Sequence, residues 1–317
     1  MKILRVILVV VFFYTATVFL QAAVEKKGFE PVSPSAQVLL GKLFSPVEKE
    51  RVNAALRLGD YSHPNVVNAL CTSAEKDLSE MVKRVALKSL GQIGDPVSLP
   101  LILKSISSES LSIKTEAMGA AVNFDSLQVR DAIIRESAAA NPVIRQKAVA
   151  YLGRLKKNNN QVIDILIEKL LDISEGVRVS AAVVLGEKQI LKAIPFLGGV
   201  LAEDKSEVVR RYAAEALGNI ANPVSEEFLK KALADNSPFV RMTAAKSLSL
   251  NGSNAGLGEA IQGTKSTDAR IRIIACEVLG ISGSMESIIF LEQASRDFDR
   301  RVQKAAVKAL KQVMSKE

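Results

Sequence analysis

A ten-residue pattern recurs nine times along this chain, with 31 to 33 residues between corresponding positions of successive copies. The clearest copy, Val209–Gly218, begins with a β-branched residue and then a basic residue. Alanine follows four positions after the start, leucine eight after and glycine nine after. Tandem repetition with this period is typical of solenoid proteins, in which each repeat packs against its neighbours. No other feature of the sequence restricts the possible fold as strongly.

The spacing within each copy indicates an α-helix that buries one face, because positions four, seven and eight apart lie on the same side of a helix. The alanine position holds Ala54, Ala86, Ala117, Ala148, Ala181, Ala213, Ala244, Ala275 and Ala306. The leucine position holds Leu58, Leu90, Ala121, Leu152, Leu185, Leu217, Leu248, Leu279 and Leu310. We expect each alanine to lie where an adjoining helix approaches closely. Glycine at the tenth residue, as in Gly186, Gly218 and Gly280, predicts a left-handed residue that ends the helix.

A second apolar segment follows the pattern in most copies. These segments are Val97–Leu103, Val162–Leu171, Ile194–Leu201, Glu226–Ala234 and Ser287–Ala294. Pro96, Pro195 and Pro223 stand near their starts, where a helix tolerates proline. Each repeat is therefore predicted to be a helix, a turn and a second helix. The sequence predicts an all-α solenoid of about nine tandem helix pairs over residues 36–317.

Two repeats depart from the pattern. The copy that begins at Ile113 has no leucine–glycine ending, so we expect its first helix to end differently. The copy that begins at Val240 is followed by the glycine-rich stretch Gly252–Gly258, which predicts a short second helix. Ala36–Leu43 and Val302–Val313 are interpreted as terminal caps of the array.

Acidic residues accompany the repeat at a fixed distance. An aspartate stands six residues before the basic position in five copies: Asp77, Asp172, Asp204, Asp235 and Asp297. The residues six positions later are Lys83, Arg178, Arg210, Arg241 and, in the last copy, Gln303. Stacked repeats would bring these carboxylates and cations side by side. We interpret them as a structural ladder of ion pairs and not as a functional site.

The pattern D-x4-[VI]-R-x-x-A-A-x-x-L-G resembles HEAT repeats, from about Glu48 to the end of the chain. The period of about 31 residues is most similar to the subgroup called PBS-lyase HEAT-like repeats. The resemblance implies a right-handed superhelix whose second helices line a concave binding surface. Polar second-helix positions, such as those around Lys104, are therefore expected to contact a partner.

The first 23 residues have the plan of a secretory signal peptide. Lys2 and Arg5 precede an uncharged, mostly apolar run, and Ala22 and Ala23 offer a cleavage site. Retention of this segment as a membrane anchor is the alternative. Residues 24–35 are interpreted as a linker rich in proline and serine. The sequence thus predicts a periplasmic or secreted protein, or an inner-membrane-anchored one if the leader is kept.

Residues that could carry chemistry are scarce. The chain has one histidine, His63, which cannot supply a histidine-rich metal site. Cys71 and Cys276 fall six to seven repeats apart, so no disulfide is expected. Neither a phosphate-binding glycine motif nor GxSxG occurs. We therefore predict no catalytic, metal-binding or cofactor-binding residue and no enzymatic activity. A lyase-type activity, which the subgroup implies, is the less favoured alternative, because an export signal conflicts with that intracellular task.

The formal net charge of +8 leaves a second interpretation open. A basic excess attracts anionic partners, and a possible anion contact lies near the C-terminus, at Arg300, Arg301, Lys304, Lys308 and Lys311. Our main hypothesis is an exported protein–protein interaction scaffold in a cell-envelope complex, with an unknown protein partner. The alternative is an electrostatic binder of nucleic acid, lipid or glycan. Nucleic acid is disfavoured because single-strand binding generally uses aromatic platforms, and the chain contains no tryptophan.

Overall fold

A computed structural model describes residues 32–156 and 159–315 of the chain. The predicted leader and most of the predicted linker lie outside these residues. All regular elements in the described part are helical, as the repeat pattern predicts. The α-helices are α1 Pro34–Lys42, α2 Glu48–Leu58, α3 Pro64–Lys76, α4 Glu80–Ile93, α5 Leu99–Ile106, α6 Leu111–Ala121, α7 Leu127–Glu136, α8 Pro142–Arg154, α9 Asn160–Glu168, α10 Glu175–Glu187, α11 Ile194–Glu203, α12 Glu207–Ile220, α13 Pro223–Ala232, α14 Pro238–Leu250, α15 Leu257–Gly263, α16 Ala269–Ser282, α17 Ser287–Ala294 and α18 Arg300–Met314. Short 3₁₀ turns occupy Pro96–Ser98, Lys169–Leu171, Leu191–Ala193 and Asn254–Gly256.

The even-numbered helices from α2 to α18 are the first helices of the repeats, and the odd-numbered helices from α3 to α17 are the second helices. The described residues form two compact units, one that ends at Leu101 and one that begins at Ile102. In the first unit α2 packs on α1 and on α4, and α3 packs on α4. In the second unit each first helix from α6 to α16 packs on the next first helix along the chain. This is the neighbour-to-neighbour packing of an α-solenoid.

Polar residues in the turns start many of these helices. The side chains of Ser79, Asn141, Ser206 and Asp299 accept hydrogen bonds from backbone N–H groups in the first turn of α4, α8, α12 and α18. These N–H groups have no partner within the helix, so the caps stabilise each start. The turns of the repeat thus define where each helix begins.

The alanine position forms the core between adjoining helices, as the sequence predicts. Ala148, Ala181 and Ala213 each expose 0% of their surface. The other six alanines at this position expose at most 1%. A larger side chain at these positions would separate the first helices. The small residue therefore sets the distance between successive repeats.

The prediction that glycine at the tenth residue ends the helix in the left-handed region is wrong. Gly186, Gly218 and Gly280 lie inside α10, α12 and α16. A Cβ atom on Gly186 would stand 2.6 Å from Ala216 Cα of the next first helix. Glycine is required here because the backbones approach closely, not because φ is positive. The left-handed residues come later, and among them are Gly94 and Ala221.

The irregular repeats and second helices follow the sequence closely. First helix α6 ends at Ala121, one residue before the tenth position of its copy. Second helix α15 has only 7 residues, as the glycine-rich stretch indicated. Second helix α17 spans Ser287–Ala294, the segment that the sequence predicted. No described helix is both long enough and apolar enough to cross a lipid bilayer.

Candidate functional site

The ladder consists of arginines that each bind an aspartate in the turn between their own repeat and the next one. Arg178 Nε donates to Asp204 Oδ2 at 2.7 Å, and Arg178 Nη2 donates to Asp204 Oδ1 at 3.0 Å. Five arginine–aspartate pairs have this bidentate geometry, in which two guanidinium nitrogens donate to the two carboxylate oxygens. They are Arg51–Asp77, Arg145–Asp172, Arg178–Asp204, Arg210–Asp235 and Arg272–Asp297. Parallel bonds of this kind are among the stronger and more specific ion pairs in proteins.

The six-residue spacing seen in the sequence reflects a different contact. Arg210 Nη1 donates to the backbone carbonyl of Asp204 at 2.8 Å, while the Asp204 carboxylate belongs to Arg178 of the preceding repeat. Arg178 contacts the carbonyl of Asp172 in the same way, at 2.9 Å. Each of these two arginines therefore links two turns. One precedes the first helix that carries the arginine, and the other follows the second helix of the same repeat.

Some ladder members differ from the sequence prediction. Arg51, Arg145 and Arg272 belong to the ladder, although the aspartate spacing did not single them out. The sequence did contain a sign that they belong to the ladder, because all three occupy the basic position of the repeat. Arg241 pairs with Glu259 of second helix α15, at 2.6 Å. Burial raises the pKa of Asp77, but hydrogen bonds from Arg51 and the Ser79 N–H lower it overall, and the charge of Lys83 in α4 adds a smaller lowering effect.

The ladder carboxylates have little capacity left for a ligand. Two N–H groups of the arginine and one backbone N–H converge on each of them, the last from Ser174 in the case of Asp172. The Arg145 guanidinium lowers the pKa of the Asp172 carboxyl, burial opposes this, and the Ser174 N–H lowers it further. The same set of causes lowers the pKa of Asp297 beside Arg272. These groups stay charged and paired at neutral pH and hold the repeats together.

An open groove lies between second helices α9 and α11, and its volume is about 430 Å³. Its lining, which we call the α9–α11 groove, is Ile167, Leu170, Leu171, Pro195, Phe196, Gly199, Val200, Glu203 and Asp204. Leu171 is 81% exposed and Phe196 is 48% exposed. A Cβ atom on Gly199 would meet nothing within 4 Å, so the wall of the groove is open at this point. Large apolar side chains that stay in contact with water can anchor a partner.

A second groove of about 410 Å³ lies on the other side of α11, between α11 and α13. It shares Asp204 with the α9–α11 groove and is lined also by Phe228 and Lys231. Gly198 faces this side, and Phe228 leaves no room there for a larger residue. The two adjacent glycines of α11 thus have different roles, since Gly198 permits packing and Gly199 opens the groove.

Charge distinguishes the two grooves. Asp204 is neutralised by Arg178, whereas Glu203 is exposed and forms no ion pair with another described residue. The α9–α11 groove therefore combines an apolar floor with a free carboxylate at its rim. Lys231, on the α11–α13 side, is exposed and likewise has no ion-pair partner in the described part of the chain.

The remaining candidate residues lie apart from these grooves. His63 is the N-cap of α3, and its Nδ1 accepts the Asn65 N–H at 3.1 Å. Both cysteines are free thiols, and burial raises the pKa of Cys276 to about 11. The described ranges contain no group of three or more metal-ligating side chains placed to hold a metal ion. Lys104 lies exposed on α5, in the second-helix position expected for it.

The basic residues near the C-terminus lie on α18. Arg300, Lys304, Lys308 and Lys311 are exposed, and Arg301 binds Asp299 at 2.7 Å. Val307 and Met314, which are 42% and 61% exposed, lie among them. The sequence had noted the charges but not these two apolar neighbours.

The family model for HEAT repeats matches residues 36–120 and 194–258. No curated protein matches the sequence. The crystal structure of the Escherichia coli protein YibA is similar, with a TM-score of 0.56 and 18% identity over 84% of this chain and 97% of that one. Kap95p, in a complex with RanGDP, has a TM-score of 0.63 and 13% identity over 89% of this chain and 45% of its own. A chain of the AP-3 complex has a TM-score of 0.63 and 14% identity over 83% of this chain and 54% of its own.

These likenesses concern the fold, because all identities are below 20%. This chain spans about half the length of the Kap95p and AP-3 chains. The matched repeats, the all-helical architecture and the solenoid neighbours agree with one another. Residues 36–120 and 194–258 match HEAT repeats, and the described part of the chain is an all-helical α-solenoid.

Proposed function

We propose that this protein is an exported scaffold that binds a partner protein of the cell envelope. In this proposal the α9–α11 groove takes up an apolar segment of the partner that carries a basic residue. HEAT-repeat solenoids generally mediate protein–protein interaction, since their stacked helices present extended surfaces. The observation that carries the proposal is the open apolar groove with Leu171 and Phe196 exposed at its surface.

The chemistry of the groove defines the occupant. Leu171, Phe196 and the open wall at Gly199 suit a branched or aromatic side chain, because a buried apolar anchor supplies most of the affinity of many interfaces. The free carboxylate of Glu203 favours a lysine or arginine next to that anchor, since complementary charge orients the partner. The ladder beneath the groove holds the second helices in place, so the site is formed before the partner arrives.

The export part of the proposal rests on the predicted leader at residues 1–23. Its basic start, apolar run and small residues at positions 22 and 23 have the order of a secretory signal. Cell fractionation and sequencing of the mature N-terminus test this part by itself. A periplasmic or secreted protein that begins near residue 24 is expected. If the protein stays in the cytoplasm, the cell-envelope part of the proposal is wrong. The proposed binding of a partner at the α9–α11 groove is not affected by that result.

Photocrosslinking tests the groove. A photoreactive phenylalanine analogue replaces Phe196 in the full chain, and crosslinking is done in intact cells. The expected product joins this residue to one partner, at an apolar residue that neighbours a lysine or arginine. The same analogue in place of Leu250, which is also exposed and lies on α14, is the control and is expected to give no such product.

Two glycines supply a matched pair of second-helix variants. Gly199→Gln fills the groove with a neutral side chain, whereas Gly258→Gln places the same side chain on α15, where a Cβ also meets nothing within 4 Å. Both changes favour the helix, so neither is expected to unfold the protein. The Phe196 crosslink should disappear with Gly199→Gln and persist with Gly258→Gln. A crosslink that both variants retain would contradict the groove as the binding site.

A further inference from the structure

First helix α18 carries a narrow stripe of side chains on the side opposite its buried face. The residues are Arg300, Lys304, Val307, Lys311 and Met314, which we call the α18 stripe. Their spacing of four, three, four and three places them on one side of the helix. The opposite side, with Val302 and Ala306, is buried in the core. The stripe is therefore a continuous surface and not a set of scattered charges.

The same positions in the preceding first helices receive the next repeat. In α16 the fourth position of the stripe is Gly280, which packs so tightly that an added Cβ would stand 2.8 Å from Ala309 Cβ of α18. In α18 the equivalent residue is Lys311, and the equivalent of buried Cys276 is Val307, which is exposed. Lysine at the glycine position keeps a further first helix from approaching in the same way. The stripe is therefore built differently from the surface of α16 that receives the next first helix.

The charge of this surface is of one sign. Helix α18 contains no acidic residue. Arg301 is paired with Asp299, but Arg300 and the three lysines form no ion pair with any residue in ranges 32–156 and 159–315. Arg300, Lys304 and Lys311 of the stripe, and Lys308 beside it, thus remain available next to two exposed apolar side chains. Such a surface fits a partner that is anionic over its whole area and apolar just beneath it.

We propose that the α18 stripe binds the surface of an anionic lipid membrane through the phosphate-bearing headgroups. Lysine is depleted at protein–protein interfaces and enriched on the polar side of helices that lie on membranes. Lys304, Lys308 and Lys311 can extend to the headgroups, while Val307 and Met314 enter the boundary with the acyl chains. A nucleic acid would satisfy the charges but would leave these two side chains without an apolar environment. This proposal is independent of the α9–α11 groove, which lies on other helices.

Vesicle sedimentation with the full chain tests the proposal. Binding to phosphatidylcholine vesicles that contain phosphatidylglycerol is compared with binding to phosphatidylcholine alone. The variant Lys304→Gln/Lys308→Gln/Lys311→Gln removes three charges without changing helix propensity much. The matched control, Lys49→Gln/Lys76→Gln/Lys88→Gln, removes three charges from other exposed helical positions. All proteins carry the same leader, so its own affinity for lipid cancels in the comparison.

The first variant is expected to bind the anionic vesicles more weakly by about five-fold per lysine, or on the order of a hundred-fold in total. The control is expected to bind nearly as well as the unchanged chain. Equal losses in both variants would show that net charge matters and position does not, which would overturn the proposal. Binding that does not depend on phosphatidylglycerol would overturn it as well.

A second variant separates lipid from nucleic acid. Val307→Ser/Met314→Ser keeps every charge and removes the apolar part of the stripe. It should weaken binding to anionic vesicles and leave any binding to duplex DNA unchanged. If vesicle binding is unaffected while DNA binds through the same lysines, the surface serves a nucleic acid and the membrane proposal is wrong.

Discussion

Arg178 and Asp204 form a two-pronged ion pair that joins one repeat to the next, with side chains only 7% and 8% exposed. The same guanidinium reaches back to the carbonyl of Asp172. One side chain therefore links the two turns at either end of its own repeat. Because the pair is shielded from water, its removal has larger consequences than the loss of a surface ion pair.

Arg178→Ala is expected to lower the free energy of unfolding by about 3 kcal/mol, because it leaves the Asp204 carboxylate buried without its cation. Urea denaturation followed by circular dichroism measures the change. Arg270→Ala is the control, since Arg270 also binds an aspartate in two-pronged fashion but is 69% exposed. Its loss should be much smaller. Equal losses would show that burial does not govern the strength of these pairs.

Stability is expected to fall as the pH drops below about 4, the ordinary range of an aspartate. Asp172 and Asp297 have lowered pKa values in the folded protein because Arg145 and Arg272 bind them. A carboxyl with a lowered pKa stabilises the fold above its unfolded-state pKa, and this contribution is lost as the pH falls through the folded-state value. Denaturation midpoints measured from neutral to acidic pH test this.

The Asp172→Asn variant provides the comparison for the pH series. It is expected to be less stable at neutral pH and to show a shallower decline towards acid, since one of the titrating groups is gone. Parallel curves for the variant and the unchanged chain would show that acid acts at other groups.

Gly186→Ala and Gly199→Ala should have opposite effects on stability. The methyl group at position 186 would collide with the backbone at Ala216, and such overpacking costs about 1–3 kcal/mol. The methyl group at position 199 meets open space, and alanine there should stabilise α11 by about 0.5–1 kcal/mol. Thermal unfolding should show a lower midpoint for the first variant and a slightly higher one for the second. A stabilised Gly186→Ala variant would contradict close packing as the role of this glycine.

The two thiols should differ in reactivity. Cys276 is fully buried, and burial raises its pKa to about 11, so very little thiolate forms at neutral pH. Cys71 is only half-buried, although burial raises its pKa too. Iodoacetamide followed by peptide mass spectrometry should modify Cys71 first and Cys276 only under denaturing conditions. Rapid labelling of Cys276 in the native protein would mean that α16 opens readily from its neighbours.

The ladder shows how far residue spacing could predict contacts. The sequence placed Asp204 in the ladder because its position repeats with the pattern. Its carboxylate partner was not evident, since Arg210, six residues later, binds the carbonyl of Asp204 while Arg178 binds the side chain. Arg210 is six residues from Asp204 and Arg178 is 26 residues away, and only the stacking of the repeats brings the more distant arginine to the carboxylate.

The sequence by itself determined the helix pairs, their period and the buried alanines such as Ala181, because helix periodicity and side-chain size act locally and recur in every repeat. Only the tertiary structure decided why Gly186 is glycine, which arginine holds each aspartate, and that Gly199 opens a groove beside Phe196. The physical reason is that each of these depends on how closely two helices from different repeats approach. The distance between the two helices depends on the side chains that both of them contribute to the interface, so it cannot be inferred from the sequence of either helix alone.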